Sequence, residues 1–170
     1  MHDDLLQQAR HLAGFDPGRP KQANLLRAVS AAYYAIFRFL VDQSCRLAVG
    51  TQHAQREYRQ VLARAFSHSA MKSACSSFSG GTLKSSVQQG LPSSFQIPTP
   101  VSLIANVFVE LQSARHRADY DLTHRFSRKD VFSQIEQVES AIDKFQQLGP
   151  GEEKEFFLAC LWAWNGLANR

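Results

Sequence analysis

The densest chemistry in the chain sits in one short run, Arg115-His116-Arg117-Ala118-Asp119-Tyr120-Asp121-Leu122-Thr123-His124. A guanidinium grips a phosphate through two parallel hydrogen bonds. An imidazole moves a proton near neutral pH. Arg117 and His124 are seven residues apart, so a continuous helix puts them on one face with Tyr120 between them. Such a pair supports RNA cleavage without a metal: the base takes the proton of a 2′-hydroxyl, and the cation stabilises the charge that grows on the phosphate. The plainer alternative is a pair of surface salt bridges, Arg115 with Asp119 and Arg117 with Asp121, each worth ~0.3–0.5 kcal/mol. That alternative accounts for the charges and leaves Tyr120, His116 and His124 without a role.

Other chemistries find less support. His2, His11, His53 and His68 form no metal-ligand spacing, and Cys45, Cys75 and Cys160 are too few and too scattered for a zinc site or a disulfide framework. There is no Gly-x-Ser-x-Gly elbow, and Gly80-Gly81 lacks the strand and lysine of a phosphate loop. No metal or cofactor is therefore expected, and the cysteines read as buried free thiols of a cytoplasmic protein. The first residues, Met1-His2-Asp3-Asp4, carry no signal-peptide core, and no run of ~20 apolar residues is present to span a membrane. A net charge of +4 permits a polyanionic partner. With 44% hydrophobic residues, 20% charged and 12 Phe, the chain has the means to build a core.

The elements that must hold these residues are helical throughout. Apolar residues at steps of three and four mark a first helix near 3–13, ended by Gly14 and by Asp16-Pro17-Gly18-Arg19-Pro20. A long helix over 21–47 is apolar on almost every side, so it needs neighbours on most faces. Its one polar stripe is Asn24, Arg27, Ser30, Tyr34 and Arg38. That stripe is expected to meet the 115–120 cluster, with Asp119 as partner for Arg27 or Arg38, because neither arginine is buried cheaply alone. Tyr33 or Tyr34 is expected to pack on the helix carrying Asp119 and Tyr120.

Gly50 ends the long helix. Thr51 is expected to cap a helix to Phe66 with Tyr58, Val61, Leu62 and Phe66 on its inner side, and a short helix follows over 70–78. Residues 79–100 read as a long loop. A helix begins at Val101 and runs through the charged cluster. Ser127-Arg128-Lys129-Asp130 looks like a capping box for a seam of Val131, Ile135, Val138, Ile142 and Phe145, stopped by Gly149-Pro150-Gly151. A last helix covers 152–168. No segment alternates as a strand does. The expected class is all-α, with 1–170 as a single domain whose last two helices carry apolar surface enough for a dimer interface.

Two segments resemble the HEPN superfamily of RNA-targeting and nucleotide-binding helical proteins. Arg27-Ala28-Val29-Ser30-Ala31-Ala32-Tyr33-Tyr34-Ala35 is similar to the pattern of its long helix, although one residue alone separates Arg27 from Val29. Arg115-His116-Arg117-Ala118-Asp119-Tyr120 is similar to its Arg-x-x-Ala-Asp-Tyr signature. The resemblance covers mainly 3–48 and 101–148; 79–100 and 152–168 look like variable additions. It implies an up-down bundle of four or five helices with an extra C-terminal helix, and often a homodimer. It further implies an RNA- or nucleotide-binding module of a bacterial toxin–antitoxin or defence-type system, with a cognate antitoxin or nucleotidyltransferase as partner. In that reading Arg27, Ser30, Tyr34, Arg115, Asp119 and Tyr120 are binding and motif residues. The alternative it implies is a metal-independent endoribonuclease, because the family's active motif is an Arg, four to six residues and a His. Arg117 and His124 satisfy that spacing. If Arg115 is the matching Arg instead, the same count leads to Tyr120, Asp121 or Leu122, none of them a histidine.

Overall fold

Apolar periodicity becomes helix wherever it is long enough to bury a face. The computed structural model describes residues 1–168, and among them eight α-helices and two short 3₁₀ turns hold all the regular structure. The helices are α1 (His2–Gly14), α2 (Gln22–Val49), α3 (Arg56–Leu62), α4 (His68–Ser79), α5 (Ser85–Gln88), α6 (Thr99–Tyr120), α7 (Arg128–Gln147) and α8 (Glu152–Ala168). The all-α class follows from this order, and among the described residues no helix is long and apolar enough to cross a membrane.

The chain groups into two compact units. The first comprises Met1–Phe39 and Val107–Lys144. Its core is built on α2, where Leu25, Val29, Tyr33 and Ile36 are all fully buried. Phe108 from α6 meets the Tyr33 ring at 5.6 Å, and the α7 seam of Val131, Ile135, Val138 and Ile142 is buried. Burying each such side chain contributes roughly 1.5–3 kcal/mol. Polar staples hold the ends. Gln22 donates to the Phe126 carbonyl at 2.8 Å and accepts from its N–H at 3.0 Å. Arg128 donates to the carbonyls of Asp16 and Gly18. Arg10 pairs with Glu139. The Ser127 hydroxyl caps α7 by accepting from the Asp130 N–H at 3.1 Å, and it donates in turn to the Asp130 carboxylate at 2.6 Å.

The second unit comprises Leu40–Asn106 and Phe145–Arg170. Here α4 packs on α8. Phe78 sits 5.0 Å from Phe157 and 6.3 Å from Trp164, and Cys45, Cys75 and Cys160 are buried and free. Most of the apolar surface of α8 is thereby spent, leaving Trp162 and Leu167 at 44% and 37% exposure. Lys154 donates to the Phe145 and Leu148 carbonyls, and its burial lowers its pKa. The 79–100 stretch contains the single turn α5, and it is anchored by buried Leu83 and Val87 and by Phe95 lying 5.7 Å from Phe156.

The 51–66 segment departs from expectation. It is a 3₁₀ turn at His53–Gln55, then α3, then a second 3₁₀ turn at Ala63–Ala65. Gln52, not Thr51, stands at its start, in reciprocal hydrogen bonding with Gln55. Tyr58 and Val61 face out at 68% and 65% exposure. The inward side is Gln55, Arg59, Leu62 and Phe66, at steps of four, three and four. Arg59 takes an inner place because its guanidinium donates to the carbonyls of Gly50 and Gln52, at 2.8 and 3.1 Å, just past the end of α2.

Candidate functional site

The candidate site is the C-terminal end of α6 and the turn that follows, in the first unit. Arg115 and Asp119 lie one helical turn apart on the side of α6 that meets α2. Arg115 Nε donates to Asp119 Oδ2 at 3.0 Å, and Ser30 Oγ donates to Asp119 Oδ1 at 3.3 Å. The Arg115 guanidinium carbon lies 5.2 Å from the centre of the Tyr34 ring and 5.4 Å from that of Tyr33. A cation over two aromatic rings gains from their electron-rich faces. Both charged side chains are largely covered, at 23% exposure for Arg115 and 33% for Asp119. The expected meeting of Tyr33 and Tyr34 with this helix is therefore real, and so is that of Ser30 with Asp119.

The rest of the polar stripe goes elsewhere. The Asn24 amide donates to Asp16 Oδ2 at 2.9 Å. Arg27 and Arg38 are exposed, and among the described residues neither forms an ion pair. Asp119 was the expected partner for one of them. It is instead taken by Arg115, which reaches it along a single helix without crossing solvent.

Arg117 and His124 do not share a helix face, because α6 ends at Tyr120. The cause is Asp121. Its Oδ1 accepts from Thr123 Oγ1 at 2.7 Å, from the Thr123 N–H at 2.9 Å and from the His124 N–H at 3.1 Å. A short carboxylate that captures the backbone two and three residues on competes with the helix and turns the chain. These donors hold the Asp121 carboxyl below the usual carboxylate range, the Thr123 hydroxyl having the largest effect. The second of the two possible salt bridges, Arg117 with Asp121, is thus replaced by this turn. The spacing Asp121-Leu122-Thr123 carried that signal in the sequence.

Beyond the turn, the half-buried His124 ring stands 4.5 Å from the Phe126 ring, which the Gln22 staple fixes. Arg117 is exposed and borders a cleft of about 420 Å³ between α6 and α7, lined also by Glu110, Ser113, Asp130, Gln134 and Gln137. Among its lining, Gln134 Oε1 is buried with no hydrogen-bond partner among the described residues. Tyr120 is 70% exposed, with the His116 ring 4.8 Å away. Sequence reasoning passed over Gln22, which holds the backbone of Phe126, and Arg128, which holds the carbonyls of Asp16 and Gly18; backbone partners leave no charge pattern to read. Among the described residues, no three His, Cys, Asp or Glu side chains gather as a metal site would require. Comparison of the chain with known protein families, with curated proteins and with solved structures finds no match.

Proposed function

We propose that this protein is an RNA-binding module of the HEPN type, belonging to a toxin–antitoxin or defence-type system. The observation that carries the reading is the division of labour at the end of α6. Arg115, Asp119, Ser30, Tyr33 and Tyr34 close on one another inside the first unit, where they stabilise it. Arg117, Arg125, Lys129 and Arg27 remain exposed and free of ion pairs among the described residues, available to phosphates. The resemblance that suggests RNA or a nucleotide as ligand also makes a homodimer and a cognate antitoxin or nucleotidyltransferase the first partners to seek. Binding is favoured over cleavage because the turn at Asp121 takes His124 off the helix that carries Arg117.

The test is RNA affinity as a function of salt. Arg117→Ala is expected to weaken binding across sequences and to reduce the salt slope by about 1, as one lost phosphate contact does. Arg115→Ala is expected to lower the melting temperature, because it empties the cluster on Tyr33 and Tyr34. An RNA affinity independent of salt and of Arg117 overturns the proposal. Cleavage of RNA that survives EDTA and disappears in Arg117→Ala and His124→Ala establishes the endoribonuclease reading in its place.

A further inference from the structure

We infer that the exposed end of α6 is a stacking platform for one unpaired base, so that the surface takes single-stranded RNA in preference to a duplex. The inference rests on the RNA-binding reading above and names the form of RNA. Tyr120 is the last residue of α6, is 70% exposed and has the His116 ring 4.8 Å away at an interplanar angle of 46°. What His116 covers is the lesser part of its surface. The adjoining Leu122 is 92% exposed, so it does not close over this end.

Position explains why the ring is presented outward. Tyr120 falls between His116 and Arg117 around the helix, on the side turned from Arg115 and Asp119. The side facing α2 is already filled by those two residues. The turn at Asp121 then takes the chain away, so the helix supplies no further turn to pack on the ring. An outward tyrosine in such a place adds little to the core.

Its surroundings fit a nucleic-acid strand. Between residues 115 and 130 there are five Arg or Lys against three Asp. One of those carboxylates, Asp119, is bound to Arg115, and Asp121 accepts hydrogen bonds from Thr123 and His124. Arg117, Arg125 and Lys129, within nine residues of Tyr120 along the chain, are exposed. A flat ring flanked by free cations is the pairing that single-strand binders use: the ring takes the face of any base, and the cations follow the backbone. In a duplex the bases already stack on one another, and a side chain reaches a base face only by breaking that stack.

The experiment measures fluorescence anisotropy of a labelled oligouridylate, of the same strand annealed to oligoadenylate, and of oligodeoxyuridylate, with wild type, Tyr120→Phe and Tyr120→Leu. The expected result is single-stranded RNA bound roughly tenfold or more tighter than the duplex, retained by Tyr120→Phe and weakened roughly tenfold by Tyr120→Leu, the scale of one base–aromatic stack. The melting temperature of Tyr120→Leu should match wild type, which separates a lost contact from a lost fold. Duplex bound as tightly as single strand, or Tyr120→Leu binding as wild type does, overturns the platform while leaving RNA binding standing. Deoxy strand bound more tightly than RNA overturns the assignment to RNA. Wild type that binds none of the three even at low salt overturns the proposed function together with the platform.

Discussion

A carboxylate stays charged under a folded chain where hydrogen-bond donors reach it, and Asp16, at 8% exposure, meets that condition. It accepts from the Lys21 N–H and from the Asn24 amide, both at 2.9 Å. These bonds, the Lys21 N–H first, hold its pKa below the ordinary carboxylate value. The consequence for stability has a definite sign. A carboxyl with a depressed folded pKa adds stability that is fully present above its unfolded pKa and is lost as pH falls through the folded one. Asp16→Asn should therefore be less stable than wild type near neutrality, and the gap should narrow below about pH 4, where unfolded Asp takes up its proton. Denaturant midpoints from pH 7 down to pH 3 read this directly; a gap that stays constant would show that charge has no part in the staple. At this scale the sequence was legible where partners lie on one helix, as with Arg115 and Asp119. It was illegible where the partner is a distant carbonyl, as with Arg128, because a backbone acceptor leaves no trace in residue type.

Among the elements, periodicity identified α1, α2, α6, α7 and α8, each of which buries one or more broad apolar faces. It misplaced 51–66, where 3₁₀ turns at both ends shift the register and a charged side chain takes an inward place for the sake of two carbonyls. It also ran α6 past Tyr120, because helical spacing between Arg117 and His124 says nothing of the Asp121 turn that separates them. The end of α2 was legible, and for a physical reason. Gly50 has φ +90°, a region that side chains with a Cβ avoid, and its N–H closes the helix by donating to the Arg46 carbonyl at 2.9 Å. A Cβ built there would stand 2.3 Å from Gln55 Oε1, the same oxygen that accepts from the Gln52 N–H. Gly50→Ala should thus strain the backbone and disturb the start of the next turn together, at a cost of about 1–2 kcal/mol. Chemical unfolding checks it, and an alanine variant as stable as wild type would mean that the turn relaxes freely.

Across the whole molecule, the features with chemical potential and the features that only pack are separated by unit. The exposed cations of the α6 end and the Tyr33–Tyr34 cluster belong to the first unit, whereas all three cysteines and both tryptophans belong to the second. The thiols are buried, and burial pushes the Cys45 pKa up to about 11, that of Cys160 up to about 12 and that of Cys75 higher still. The nucleophile in thiol chemistry is the thiolate, so the folded protein offers a disulfide reagent almost none at pH 8. Labelling must then wait for the second unit to open, and under fast reclosing its rate measures the free energy of that opening. The three cysteines are expected to label at rates set by one common opening, tracking the change in fluorescence of Trp164, which is 1% exposed. Phe78→Ala should quicken all three alike, because Phe78 touches both Phe157 and Trp164 and its loss costs about 3–5 kcal/mol. Mass spectrometry of the labelled peptides resolves each site. Cys45 reacting long before Cys75 and Cys160, in wild type as well as in the variant, would show that the second unit does not open as one body.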